Sequence, residues 1–472
     1  MRVLLLAMPD VASCFDRVMR LPNLGIASIA ANIDGAEVHT LDLVLHPRGV
    51  GKTVKKHLEN LRPDIVGLSA MTFQYDTAKT VAGIIRQVLP NTKIVLGGYH
   101  ATLAADHIAI DPGSHVFDYL IRGEGEVPMN QLHKALRDGG DAKEIAGLSY
   151  RVDGQFVHNP IGSLTDLNDI NIPERRKRLS SGFTYFGKRY ESVETSRGCL
   201  KSCRFCSIRG MYGRSYRTYP IERVISDISD AKSAGAEGIF FTDDNINLVP
   251  GRLMELCSAI VDAKLNDLEY ITQADVAGFV AEPELPNAMQ QAGFKGVFLG
   301  IESTASENWQ FLRKRNLPDD THKVVRSLRN CGISVAGGFI VGNPEEDENA
   351  VRAAFHTALS LPIDHAIMWC LTPYPGTEAR ESMQSEGLVE SAYDFKHYNG
   401  YMCHVRTKHL SNSELIRLIA KEGAKLYFNP RFFLRSHAWP VSAKNAWIYF
   451  RTVSEYITHA SRNRLFASRH KI

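Results

Sequence analysis

The 472-residue sequence has no apolar run approaching the ~18–20 residues that a helix needs to cross a bilayer, which excludes a chain threaded through a membrane by such helices. Its opening stretch, M-R-V-L-L-L-A-M-P-D, has too short an apolar core for a signal peptide and reads as a buried first strand. Cysteine is scarce, and three of the eight are clustered, so no disulfide framework is expected and a reducing cytoplasm suits the chain. Net charge is nearly absent at +3, and no groove-reading module is present, which argues against a nucleic-acid partner. Histidine is missing altogether between His158 and His322. A closed zinc site in that region would therefore need a remote fourth ligand. What remains, 44% apolar and 23% charged residues over this length, is a soluble chain with two or three substantial cores.

Inside the histidine-free stretch lies S-R-G-C-L-K-S-C-R-F-C-S, which sets Cys199, Cys203 and Cys206 in a C-x-x-x-C-x-x-C spacing after an apolar segment. Thiolates are preferred ligands of zinc and of iron–sulfur clusters. Three of them on a four-iron, four-sulfur cluster leave one iron open to bind substrate or cofactor. A zinc knuckle or three unrelated core thiols are the alternatives. Cys257 and Cys331 fall in helical patterns and Cys370 in an apolar strand, and all three read as core thiols. Arg197, Lys201 and Arg204 are expected to be exposed.

The chain before this motif alternates short apolar runs at 3–6, 37–41, 65–69, 94–97 and 119–122 with helical patterns at 25–31, 52–60 and 76–88. That is the βαβ alternation of a doubly wound parallel sheet, which binds ligands beyond the carboxyl ends of its strands. Glycine-rich turns stand at those ends: G-G-Y-H-A-T from Gly97 and R-G-E-G-E from Arg122. Glycine there admits close backbone approach to a ligand, or serves only a tight turn. Residues 141–188 read as a connector containing a hairpin around Asp153-Gly154. From 190 to 371, six further strands alternate with helices. Their ends are punctuated by T-D-D-N at 242–245, G-I-E-S at 300–303, G-N-P-E at 342–345 and T-P-Y-P-G-T at 372–377. Six such units imply a barrel with chemistry at the strand C-termini.

Taken together, the cysteine spacing, the S-R-G before it, the aromatic Phe205 before the last cysteine and these strand-end signals resemble the radical S-adenosylmethionine (SAM) enzymes. P-N-L-G-I-A-S at 22–28, G-G-Y-H-A-T and R-G-E-G-E look like the cobalamin-binding domain that precedes the radical domain in one large subgroup, which includes methylases and the anaerobic cyclase of chlorophyll-type pigment synthesis. The resemblance implies an α/β fold in four parts. Residues 1–140 form a Rossmann-like (flavodoxin-like) cobalamin domain, 141–188 the connector, 189–390 a partial (β/α)6 TIM-type barrel, and 391–472 a helical, basic extension. It implies a 4Fe-4S cluster on Cys199, Cys203 and Cys206, with SAM chelating the open iron.

By the same resemblance, Glu302 and Ser303 with Arg313 hold the ribose and carboxylate of SAM, and adenine stacks near Ile340 and Gly342 under the loop carrying Tyr374. Asp243 or Asp244 faces the amine or the substrate; the alternative for each acid is a helix N-cap or a turn residue. Gly25, Gly97, Gly98, His100, Gly123 and Gly125 are the candidate cobalamin contacts. Many such domains carry D-x-H-x-x-G, with histidine on cobalt. Here D-L-V-L-H-P-R-G at 42–49 keeps His46 but moves the aspartate two residues too far away to orient it. A non-catalytic cobalamin sensor, or a radical enzyme that has lost cobalamin, are the competing readings.

The expected activity is reductive cleavage of SAM to a 5′-deoxyadenosyl radical, with an electron from a flavodoxin or ferredoxin, followed by methylation or by cyclisation or rearrangement of an apolar small molecule or lipid. Residues 431–472 hold eight Lys/Arg against one acid, Glu455, interleaved with aromatics. That pattern suits peripheral contact with an anionic membrane, or a basic helical cap on the barrel.

Overall fold

A computed structural model of the chain describes residues 1–9, 19–47, 49–390, 392–427 and 429. The first sheet comprises β1 (Arg2–Ala7), β2 (Glu37–Asp42), β3 (Ile65–Ser69), β4 (Lys93–Gly97), β5 (Tyr119–Ile121), β6 (Leu148–Val152) and β7 (Gln155–His158), in the order β2-β1-β3-β4-β5-β6-β7. The first five run parallel. Val3 to Ala7 of β1 are all buried, as a central parallel strand covered on both faces requires. One face is covered by α1 (Leu24–Ala31) and α4 (Glu126–Asp138), whose Ile26 and Met129 share a core with Val3 and Leu5. The other is covered by α2 (Val50–Leu61) and α3 (Tyr75–Val88), whose Val54 and Val81 pack with Leu4 and Leu6. The hairpin read as part of the connector instead adds β6 and β7 antiparallel to the edge of this sheet.

The second sheet is built from six parallel strands in sequence order: β8 (Lys188–Val193), β9 (Gly238–Phe241), β10 (Glu269–Asp275), β11 (Phe294–Glu302), β12 (Ser334–Val341) and β13 (His365–Cys370). The helices between them include α5 (Ile221–Ser233), α6 (Pro250–Asp262), α7 (Pro318–Asn330) and α8 (Glu348–Ser360). The two end strands do not pair with each other, so this is a half-barrel. Beyond β8, Thr184–Tyr185 pairs antiparallel and in turn takes Met19–Arg20 from the first part of the chain, stitching the two halves together.

The extension expected to be helical from residue 391 is irregular apart from a single turn at Phe395–His397, and turns helical only at α9 (Asn412–Tyr427). That helix packs on α8, with Glu422 paired to Arg352. The basic segment 431–472 lies outside the described residues. No described helix is long and apolar enough to cross a membrane.

Candidate active site

The cysteine motif hangs between two short strands. After β8, Ser196–Arg197 pairs antiparallel with Arg217–Thr218 to make a two-stranded ribbon, and residues 198–216 form the loop between them. At its root Gly198 has φ +87°, and a Cβ there would stand 2.5 Å from the carbonyl oxygen of Ser215, so only glycine fits beside Cys199. Farther along, Arg204 N–H donates to the Leu312 carbonyl (3.2 Å) and Ala379 N–H to the Arg204 carbonyl (3.0 Å), pinning the loop to two later elements. Cys199, Cys203 and Cys206 are half-buried and unbridged. Burial pushes the Cys203 thiol up to about 11 and that of Cys206 to about 12. Such thiols ionise when a cation replaces the proton. Among the described residues no three His, Cys, Asp or Glu side chains converge on the position of a single ion. A four-iron, four-sulfur cluster takes its ligands at separate corners rather than at one point.

The acids after β9 differ in what they do. Asp243 is fully engaged: Thr195 N–H (3.0 Å), Thr195 Oγ1 (2.6 Å) and Ser196 Oγ (2.5 Å) all donate to it. It ties the root of the motif to the neighbouring strand end, and burial still lifts its carboxyl to about 6. Asp244 accepts one bond, from Gly198 N–H at 3.0 Å, and faces a cavity. Burial pushes it up to about 7.

At the ends of β10 to β12 a second group assembles. Glu302 has φ +53° where the register between β11 and β12 shifts, turning its side chain into the site. Its carboxylate pairs with Lys314 Nζ at 2.8 Å, and Lys314 also reaches Asp275 at 2.8 Å. Asp275 in turn takes Lys201 Nζ from the cysteine loop at 2.8 Å. Burial alone would raise Asp275, but Lys314 and Lys201 outweigh it and hold it down at about 2. Ser303 Oγ accepts from Asn308 Nδ2 (3.1 Å); Asn308 also donates to Glu346 (2.7 Å), and Glu346 accepts from the N–H of Gly342 (2.6 Å), which sits at φ +90°. Ile340 is buried in β12, and Asn343 Nδ2 donates to its carbonyl.

Arg313 ends the helix Ser306–Leu312 and turns outward to Glu378 (2.8 Å), leaving the interior position to Lys314. Tyr374 is half-buried, with its hydroxyl raised by burial, in a loop whose Gly376 abuts Leu103 of the first sheet's layer. Lys314, Asp275, Asn308 and Glu346 were not singled out from sequence. For Lys314, Asn308 and Glu346 the available signal was their place after strand ends already read as chemical, Glu346 standing one residue beyond G-N-P-E, whereas Asp275 closes a strand whose end was not among them.

Between the two sheets lies a cavity of about 420 Å³, within the roughly 300–1,000 Å³ usual for cofactor sites. Gly25, Gly97, Gly98, Gly123 and Gly125 line one wall, and Ser196, Arg197, Tyr212, Thr242 and Asp244 the other. Gly98 has φ +90°, and a Cβ on it would meet the Ala70 carbonyl oxygen at 2.8 Å. A wall of bare backbone at strand C-termini fits a large, flat ligand such as a corrinoid. Among the described residues, no histidine lines the cavity. His100 is placed elsewhere, buried against Tyr75 (4.3 Å between ring centres) and Phe395 (5.1 Å). His46 also lies outside the lining. The Asp42 carboxylate serves Asn23 N–H (2.8 Å) and Val44 N–H (3.1 Å) rather than the imidazole.

Arg197, expected to be exposed, is instead 7% exposed and bridges the halves. Its guanidinium donates to Glu124 (3.0 Å), Glu126 (2.7 Å) and Glu194 (2.7 Å). Lys201 and Arg204, also expected to be exposed, are half-buried.

Two family models match this arrangement, the B12 binding domain over residues 15–133 and the Radical SAM superfamily over 193–358. The chain pairs a B12-binding domain with a radical SAM domain. It is similar to an uncharacterized methyltransferase of Pyrococcus horikoshii, with 29% identity over 438 residues, 92% of this chain and 94% of that one. A hopanoid C-3 methylase of Methylococcus capsulatus is 29% identical over 392 residues, 80% of this chain and 72% of that one. The solved structure of the radical SAM methyltransferase TsrM from Kitasatospora setae, with cobalamin and a [4Fe-4S] cluster bound, shares the fold: TM-score 0.72, 18% identity, 98% of this chain and 99% of that one. The protein is thus a cobalamin-dependent radical SAM enzyme of the methyltransferase and cyclase family. Its cofactors are a 4Fe-4S cluster, SAM and cobalamin, as in those homologues, which sets aside the non-catalytic sensor.

Proposed function

We propose that this enzyme transfers a methyl group to an unactivated carbon of an apolar substrate. The observation that carries the reading is the cavity itself: its first wall is the glycine turns of the B12-binding domain, and its second includes Asp244 and Ser196 at the root of the cysteine loop. When bound, the cluster and SAM supply a 5′-deoxyadenosyl radical and the corrinoid supplies the methyl group. Cys199, Cys203 and Cys206 hold three corners of the cluster. Lys314, kept charged by Glu302 and Asp275, meets the SAM carboxylate, and Glu302 with Ser303 orients the ribose. Asp244, poised near neutrality by burial, accepts a proton or hydrogen bond from the amine or the substrate. Gly25, Gly97, Gly98, Gly123 and Gly125 let the backbone close on the corrinoid. The kinship with a hopanoid methylase supports an apolar, lipid-like substrate. The electron comes from a flavodoxin or ferredoxin in a reducing cytoplasm.

The test is anaerobic incubation of the reduced, reconstituted full-length protein with SAM and a pool of apolar candidates. 5′-Deoxyadenosine and S-adenosylhomocysteine are quantified separately. Both products, in equal amounts, are expected. 5′-Deoxyadenosine alone would replace methylation with cyclisation or rearrangement, and a Cys203→Ala variant should yield neither product.

A further inference from the structure

Two acids of R-G-E-G-E line the corrinoid cavity, yet both carboxylates are committed to the other half of the chain. Glu126 Oε1 accepts from Arg197 Nη2 at 2.7 Å and from Ser28 Oγ at 2.7 Å. Glu124 accepts from Arg197 Nη1 at 3.0 Å and from Arg217 Nη1 and Nη2 at 3.0 and 2.7 Å. Thr165 N–H closes its remaining side at 2.9 Å. Arg197 and Arg217 are cross-strand partners in the ribbon that frames the cysteine loop, one from each strand. Glu194 completes the group, bound to Arg197 (2.7 Å) and to the Tyr219 hydroxyl (2.7 Å). Three carboxylates and two guanidiniums thus form one buried cluster, in which Arg197, Glu124 and Glu126 each have side chains at most 8% exposed.

Position makes this more than a domain contact. Gly123 and Gly125 alternate with the two acids, so the backbone that would touch a corrinoid and the carboxylates that grip Arg197 belong to one four-residue turn. On the other side Arg197 is followed by Gly198, held at φ +87° close against the Ser215 carbonyl, and then by Cys199. A buried, multiply bonded charge group resists displacement, because moving one partner strands another without solvent. A shift of the turn is therefore transmitted to the first cluster ligand through fewer than three residues.

We infer that Arg197, held by Glu124 and Glu126, is a positioning residue that couples corrinoid occupancy to the geometry of the cluster site. The inference rests on the corrinoid reading of the cavity. It makes the two cofactors energetically dependent on one another, and the dependence is reciprocal. Arginine is required because its planar fork can bond several carboxylates at once, which a lysine ammonium cannot do in the same geometry.

The test uses the full-length protein. Hydroxocobalamin is titrated under anaerobic conditions into cluster-loaded and chelator-stripped samples, with bound corrinoid read by equilibrium dialysis. In parallel, the Mössbauer spectrum of the iron is recorded with SAM, with and without hydroxocobalamin, since that spectrum does not see cobalt. For the wild type, hydroxocobalamin should bind about tenfold more tightly when the cluster is present, and its addition should change the iron spectrum. In Glu126→Gln, which keeps shape and loses charge, and in Arg197→Lys, both cofactors should still load, the affinity ratio should fall to near one, and the iron spectrum should become indifferent to corrinoid. A wild-type ratio of one with an unchanged spectrum overturns the coupling, as does a Glu126→Gln protein that retains both effects. A wild type that takes up no corrinoid at any concentration overturns instead the cavity assignment beneath it.

Discussion

At Asp42, burial and hydrogen bonding act in opposite directions on one carboxyl. It is 5% exposed, and burial pushes it up to about 6 despite two backbone N–H donors and the Arg178 charge. The unfolded value is about 3.9. Since the folded value is the higher, the stabilising contribution is complete below about pH 4 and is lost as pH rises through about 6. Between about pH 4 and pH 7 the wild type should lose about 2 kcal/mol relative to Asp42→Asn, measured by urea unfolding across that range. The same aspartate bears on cobalt. With its carboxylate given to Asn23 and Val44, it cannot orient His46, which stands off the cavity wall. His46→Ala should therefore leave corrinoid stoichiometry and the visible spectrum unchanged. A spectral shift in that variant would show histidine on the metal.

Turns at strand ends carry the site at the level of elements, and two glycines there differ in both conformation and space. Gly98 and Gly49 both have positive φ, +90° and +87°, but Gly49 lies in the left-handed helical region at ψ 30°, whereas Gly98, at ψ −168°, lies where essentially only glycine goes. A Cβ at Gly98 meets Ala70 backbone oxygen at 2.8 Å and nitrogen at 3.0 Å, whereas a Cβ at Gly49 meets nothing within 4 Å. Gly49→Ala should cost about 1 kcal/mol of dihedral strain and spare corrinoid binding. Gly98→Ala should cost at least about 2 kcal/mol more and abolish corrinoid retention, read by denaturant unfolding and bound cobalt. The motif loop shows the same division of labour: Asp243, Gly198 and the pins at Arg204 shape it, while the cysteines form no disulfide. The succession of strands along the chain, too, was readable one element at a time. The antiparallel hairpin was also visible, but the edge it joins was not, since Asp153-Gly154 specifies a turn and says nothing of which strand lies beside it.

At the scale of the whole molecule, two half-independent sheets are locked by Met19–Arg20 beside Thr184–Tyr185 and by the buried Arg197 cluster, with the cavity between them. The basic segment that follows bears on where this body works. Full-length protein should co-sediment with anionic vesicles and a 1–428 truncation should not, each basic residue adding ~1 kcal/mol near such a surface. Equal partitioning of the two would return the segment to a cap on the barrel. The sequence by itself determined the two successive α/β halves, the three cysteines and the glycine turns. Each is a local property: ligand spacing, hydrophobic period and backbone freedom are all set within a few neighbouring residues. Which charges face which was decided only by folding. Arg197 and Lys201 read as exposed cations, yet they pair with Glu124, Glu126 and Asp275, between 71 and 74 residues away along the chain. Whether a charge is solvated or buried against a partner depends on what the rest of the chain brings to it, because the free energy of burying an ion is settled by its neighbours in space.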